Sequence, residues 1–127
     1  MKIKIEIGGE EFSGEIDDNM NPETSEAVIN ELPLEEEAQK WGDELFFKIP
    51  VDKEEENPKR YVTKGEIGYW PQGNALCIFY GKTPGSPSEE RIKPSSPVNI
   101  IGRIENPEKL KKFSSGVMIR ISEYSEG

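Results

Sequence analysis

Six side chains have the types and spacing to do chemistry: Lys48, Tyr69, Trp70, Gln72, Asn74 and Cys77. Five of them fall within residues 64–84, KGEIGYWPQGNALCIFYGKTP, where turn residues flank the apolar strand 75–80. Polar and aromatic groups beside a rigid strand are the usual makings of a binding cleft. Here Tyr69 and Trp70 read as exposed, and Trp70-Pro71 offers a flat apolar wall. Gln72 and Asn74 bring amide donors and acceptors, and Lys48 suits an anionic group such as a carboxylate. Taken singly, each has a plainer reading. The two aromatics plug the end of a barrel, Asn74 serves the turn after Gly73, and Lys48 lies on a solvent face. Taken together, they predict a site for a peptide or a small molecule.

Other chemistry is excluded by what is missing. There is no histidine, so neither a Ser-His nor a Cys-His nucleophile pair is available. Cys77 is the single cysteine, so no intrachain disulfide forms, which is compatible with the cytoplasm. Its place in an apolar strand marks it as buried and inert. The run Glu35, Glu36, Glu37 is a solvated stretch rather than a metal cage, and no zinc spacing or phosphate loop occurs. No metal or cofactor is expected.

The chain carries 25 acidic against 16 basic residues, a net charge of -9, without a basic stretch to offset it for a nucleic-acid backbone. The N-terminal MKIKIEIGG is neither a signal peptide nor a membrane span. Abundant Glu and Lys with scarce His and Cys lean toward a thermostable protein. The expectation is a soluble, monomeric, cytoplasmic protein that binds neither nucleic acid nor membrane.

The elements that must position the six residues follow from pattern. Ile3, Ile5 and Ile7 alternate with charged residues as in a half-buried strand, and Gly8-Gly9 turns it back through strand 12–16. Asn21 and Pro22 open a helix that buries Ala27, Val28 and Leu32 and stops at Pro33. Residues 34–41 are ambiguous between strand and helical turn. Strand 44–51 follows, then DKEEENPKR, an exposed and mobile charged loop, then a strand at 61–63. Residues 84–97 form a long Pro-rich loop over the surface. Strand 98–104, a short helix capped by Asn106 and strand 117–121 complete the chain, and the tail SEYSEG should fray. The fold class is mainly β, a closed barrel with one early helix and one short late helix, forming a single domain over residues 1–123 and leaving 124–127 as tail.

The order of segments resembles the cyclophilin fold. PETSEAVINEL is similar to the first cyclophilin helix, LFFKIP to the strand reading Phe-His-Arg-Ile-Ile-Pro, GNALCIFYGKTP to the Gly-Ser-Gln-Phe-Phe-Ile segment, and VNIIGRI to Val-Val-Phe-Gly-Lys-Val. WPQGNALCIFYGKTP and SPVNIIGRI look still more like the small prokaryotic cyclophilin-like proteins of unknown function. The resemblance implies prolyl isomerisation, which must lower a barrier of about 18–20 kcal/mol for peptide-bond rotation. At the place of the cyclophilin arginine it puts Lys48, a point charge without the guanidinium fork. It puts Cys77 for the pocket phenylalanine, Ala75 for the glutamine and Val98 near the histidine, and finds no partner for the tryptophan. It therefore implies a cyclophilin-like binding module without efficient isomerase activity. A weak peptidyl-prolyl cis-trans isomerase using Lys48 is the alternative. Cyclophilin-like barrels also resemble domains in amide-hydrolysing complexes, but no nucleophile here has a base beside it.

Overall fold

The computed structural model describes residues 1–125. Strands β1 (Lys2–Ile7) and β2 (Glu10–Ile16) form the hairpin expected from the alternating isoleucines, with Ile3, Ile5 and Ile7 buried. Helix α1 (Pro22–Asn30) buries Val28, and β3 (Leu34–Glu37) and β4 (Gln39–Lys40) follow. Then come β5 (Glu44–Lys48), β6 (Glu66–Trp70), a 3-10 turn (Pro71–Gly73), β7 (Ala75–Phe79) and β8 (Asn99–Ile104). A second 3-10 segment (Pro107–Lys112) leads to β9 (Met118–Glu123). Among the described residues, no helix is long and apolar enough to cross a membrane.

The strands form one antiparallel sheet in the order β3-β9-β1-β2-β8-β6-β7-β5-β4. Its two outermost strands are consecutive in the chain, with only Ala38 between them. Leu34 and its followers pair with β9, while Gln39 and Lys40 pair with β5. The Ala38 amide donates to Val117 O at 2.8 Å, and its carbonyl accepts from Gly116 N at 2.7 Å. One extended segment thus serves both edges and nearly closes the barrel, which leaves little free edge for association. The ambiguous stretch 34–41 is thus two short strands, 34–37 and 39–40, joined at Ala38 and followed by a bend at Trp41.

Two apolar clusters form, one on each face of the wall. The interior holds the inward residues of the strands, among them Ile5, Leu45, Phe47, Ile67, Tyr69, Leu76, Ile78 and Ile119. A smaller cluster of Val62, Cys77, Phe79, Ile92, Val98 and Ile100 lies on the outer face, under the segments around 62 and 92–98. All five residues of β7 are buried in consequence, because both faces of that strand are covered.

Several expectations are corrected. Residues 61–63 form no strand; Val62 makes an isolated bridge to Ile92. The tail is anchored further than expected, since Ser122 and Glu123 pair with β1 and Tyr124 N donates to Lys2 O at 3.0 Å; Glu126 and Gly127 lie outside the described residues. Asn106 precedes the second 3-10 segment but gives it no side-chain bond, lying in the left-handed region at φ 54°. Asn21 likewise does not cap α1. Its amide donates to Ile100 O at 2.8 Å, and its oxygen accepts from Asn57 N at 2.7 Å.

The cap of α1 comes instead from 32 residues away. The Glu56 carboxylate accepts from Thr24 N at 3.0 Å, Thr24 Oγ1 at 2.8 Å and Glu23 N at 3.2 Å. Partial burial works against the charge of Glu56. The bonds from Thr24 and Glu23 and the nearby Lys53 outweigh it and hold the carboxyl below its ordinary range. Asn99 reaches the same loop, accepting from Glu56 N at 3.0 Å and donating to Glu54 O at 3.0 Å. The charged loop expected to be mobile is therefore tied to the helix and to β8.

Candidate functional site

Residues paired across a sheet point to the same face, and neighbours along a strand point to opposite faces. Lys48 pairs with Ala75, and Ala75 pairs with Trp70, so these three form a row across β5, β7 and β6. The next row on this outer face is Phe46, Cys77 and Gly68. With strands about 4.8 Å apart, Lys48 and Trp70 stand roughly 10 Å apart over the small side chain of Ala75. The row sets an exposed cation on one side of buried Ala75 and a partly exposed aromatic corner on the other.

The corner is rigid. Phe46 and Trp70 meet edge to face, with ring centroids 6.4 Å apart at 85°. The Trp70 indole N–H donates to Ser96 Oγ. The ring also lies against the backbone of Gly73, where an added Cβ would fall 2.3 Å from indole Cε3. Both aromatics remain partly exposed, in contrast to Cys77.

The six residues expected at one cleft fall in three places. Lys48, Trp70 and Cys77 share the outer face. Tyr69 does not; the expectation that it is exposed fails, because β6 turns it inward, where its exposure is 0%. Its hydroxyl donates to Val51 O at 2.7 Å and accepts from Lys53 N and Asn74 Nδ2, each at 3.1 Å. Asn74, in the left-handed region at φ 48°, also donates to Val51 O at 3.1 Å. These two residues hold the start of the charged loop to the barrel. Gln72 is exposed at the tip of the 3-10 turn, without a side-chain hydrogen bond among the described residues.

Cys77 is buried with 1% exposure, and burial together with the neighbouring Glu44 carboxyl pushes its thiol well above the ordinary range. Where the resemblance implies an apolar pocket, Val98 and Ile92 pack in one cluster with Cys77. A Cβ on Gly68 would meet Val98 Cγ2 at 2.9 Å, so Val98 occupies the space above that strand. Residues 92–98 thus cover the outer face over Cys77 and Gly68 and reach Trp70 through Ser96, while Lys48 stays exposed.

Two residues of this face escape sequence reasoning. Phe46 shares its face with Lys48 by strand alternation, a signal present in LFFK. Ser96 has no local signal, since only the fold brings its loop to Trp70. Glu44 is a third surprise. It is 5% exposed, lies within bonding reach of the Cys77 thiol, and has one carboxylate oxygen without a partner. Burial pushes its carboxyl up to about 7, against a smaller opposing effect of the thiol.

Other depressions exist on the surface. One of about 470 Å³ follows β1, β2 and the end of β8, lined by the mixed charges Lys2, Glu15, Arg103 and Glu105. Another, of about 460 Å³, is the acidic hollow of the charged loop beside Glu23 and Thr24. Among the described residues, no cluster of three or more His, Cys, Asp or Glu could hold a metal ion.

A profile described as Cyclophilin-like matches residues 1–122. The chain belongs to the cyclophilin-like family. The solution structure of the hypothetical protein AF2241 from Archaeoglobus fulgidus is similar, with 38% identity and a TM-score of 0.80, covering 98% of this chain and 95% of that one. The structure of McbB in complex with tryptophan has a TM-score of 0.76 at 16% identity and covers 98% of this chain but 45% of that one, a likeness of fold alone. No curated protein matches the sequence. The family membership agrees with the segment-by-segment resemblance of the sequence to small prokaryotic cyclophilin-like proteins.

Proposed function

We propose that this cyclophilin-like protein is a binding module that takes a peptide or small molecule on the outer face of β5, β7 and β6. The observation that carries this reading is the row Lys48–Ala75–Trp70, with Phe46 beside it. It sets an exposed cation opposite an apolar wall whose rings already pack on one another, so little ordering has to accompany binding. Tyr69 and Asn74 support the site from behind by fixing the adjoining loop. Gln72 is free to bond a ligand from the tip of the 3-10 turn. Cys77 lies beneath Ile92 and Val98, out of a ligand's reach, and has no chemical role. The module works without a cofactor, as a monomer in the cytoplasm; a single buried thiol and the nearly closed sheet support that placement.

A weak prolyl isomerase is the second reading, favoured by one observation. Lys48 is exposed on the face where the resemblance implies the arginine. Against efficiency stands the covering of Cys77 by Ile92 and Val98, which fills the place of a proline pocket with the chain's own side chains.

Exchange NMR spectroscopy on Xaa-Pro peptides separates the two readings, with free tryptophan added to the panel because McbB is seen with it. A module shifts the Trp70 indole resonance and leaves exchange at its uncatalysed tens to hundreds of seconds. Faster exchange that Lys48→Ala reduces would establish the isomerase. A Trp70 resonance unmoved by every peptide and by tryptophan would remove both readings.

A further inference from the structure

Two isolated bridges join residues 59–62 to the segment 92–98 that reaches Trp70 through Ser96. Val62 pairs with Ile92, and Lys59 pairs with Val98. Between the bridges, residues 60–61 face residues 93–97, so a five-residue bulge stands opposite two residues. The mismatch leaves a notch of about 320 Å³ lined by Arg60, Lys93, Pro94, Ser95, Ser96 and Pro97. Its frame is pinned. Lys93 N donates to Ser86 Oγ at 2.9 Å, and Lys93 O accepts from Thr83 Oγ1.

The lining of this notch carries positive charge only. Acidic residues outnumber basic ones by 25 to 16, yet no carboxylate lines it. Arg60 and Lys93 are among the ten of 16 basic residues that make no ion pair among the described residues. The neighbouring Arg91 lies 3.9 Å from the centroid of Tyr61. Arg60 and Lys93 are exposed cations beside two serine hydroxyls, and Ser96 is the residue that holds the Trp70 indole. The notch and the aromatic corner therefore share a side chain.

We infer that this notch receives the carboxylate of the ligand whose apolar part lies against Trp70 and Phe46, so the module selects organic carboxylates. The inference rests on the ligand face proposed above and adds its chemical class. Arg60 forks onto the two carboxylate oxygens, Lys93 supplies a second charge, and the Ser95 hydroxyl completes the donor set.

The test uses the isotope-labelled full chain and four probes: acetyl-Ala-Ala-Pro-Phe with a free C-terminal carboxylate, its C-terminal amide, the amide of acetyl-Glu-Ala-Pro-Phe, and inorganic phosphate. The free acid should bind about tenfold more tightly than the first amide, as expected for losing one charge-assisted contact. It should also move the Arg60 side-chain and Ser96 amide resonances. The double variant Arg60→Gln/Lys93→Gln should bring acid and amide within about twofold, with the Trp70 indole still reporting both; its amide spectrum verifies the fold. Tight binding of the glutamate peptide would assign the carboxylate to a side chain rather than a chain terminus. Equal affinity for acid and amide, with Trp70 shifted, would overturn the carboxylate notch and keep the face. Phosphate binding more tightly than the free acid would overturn the carboxylate class. Silence at both Trp70 and Ser96 with every probe would sink face and notch together.

Discussion

Tyr69 and Trp70 are consecutive in β6 and serve opposite sides of the barrel wall. The Tyr69 hydroxyl lies inside, bonded to Val51 O, Lys53 N and Asn74 Nδ2, and the Trp70 indole lies outside, bonded to Ser96. Each ring thereby fastens one irregular segment to the sheet. The inner one holds the charged loop, and the outer one holds the 84–97 loop. Substitutions at the two positions should consequently separate stability from binding.

Tyr69→Phe keeps the ring and removes the hydroxyl. Lys53 N and the Asn74 amide then lose a partner in a half-buried place. The expected cost is about 1–3 kcal/mol in chemical denaturation. Hydrogen exchange should rise at Lys53 with Trp70 unmoved. A change confined to the ligand face would contradict the inward assignment.

Gly73→Ala acts on the outer ring. The new methyl would overlap the indole of Trp70, whose nearest atom lies 2.3 Å from the Cβ position. The ring must move and its bond to Ser96 must stretch or break. The indole N–H resonance should shift, and binding on this face should weaken, at a stability cost of about 1–3 kcal/mol typical of overpacking. An unaltered indole resonance in the variant would show that the ring does not rest on Gly73.

Glu44 makes stability depend on pH in an unusual direction. Its carboxyl rises from 4.5 in the unfolded chain to about 7 in the folded one, chiefly through burial. Between those values the native state holds a proton that the unfolded state has released. Stability is therefore fully present below pH 4.5 and falls as pH rises through 7, by on the order of 3 kcal/mol in all. Glu44→Gln should flatten this decline and exceed the parent in stability at pH 8. Denaturation midpoints across pH 4 to 9 (roughly the span over which the group titrates) check it; parallel curves for the two proteins would rule it out.

Glu56 has the opposite sign. Its carboxyl is held below the ordinary range by Thr24 and Glu23 despite partial burial, so it stabilises the fold at neutral pH. That contribution disappears as pH falls below the carboxylate range through the depressed value. Glu56→Ala should cost on the order of 1 kcal/mol, the usual effect of a lost helix cap. It should also speed amide exchange at Thr24 and across the charged loop. Protection unchanged at Thr24 would mean that the loop does not cap the helix.

Most of the strands and the early helix were legible in the sequence because their signals are local. Alternating isoleucines, Asn-Pro at a helix start and an unbroken apolar run each bear on one element at a time. The segment-by-segment resemblance then carried the family. The site was legible only in part. Of the six residues expected along one cleft, Lys48, Trp70 and Cys77 share a face, because pairing keeps Lys48 and Trp70 in register with Ala75. Tyr69 was drawn in by its nearness in sequence, although period-two alternation sends it to the other side of Trp70. That rule was available from the strand itself.

What the sequence by itself determined is the inventory and the local order: a histidine-free acidic chain of short strands, one buried thiol and an aromatic pair beside a turn. Only the tertiary structure decided which groups meet. Glu56 caps a helix 32 residues earlier, Ser96 grips Trp70 from 26 residues away, and Arg60 faces Lys93 across two bridges. Ala38 closes the barrel because β9 and β5 approach it from opposite edges. Such contacts depend on strand register and on the course of long loops. Both are set by the packing of the whole barrel, and neither leaves a periodic trace in the residues that make them.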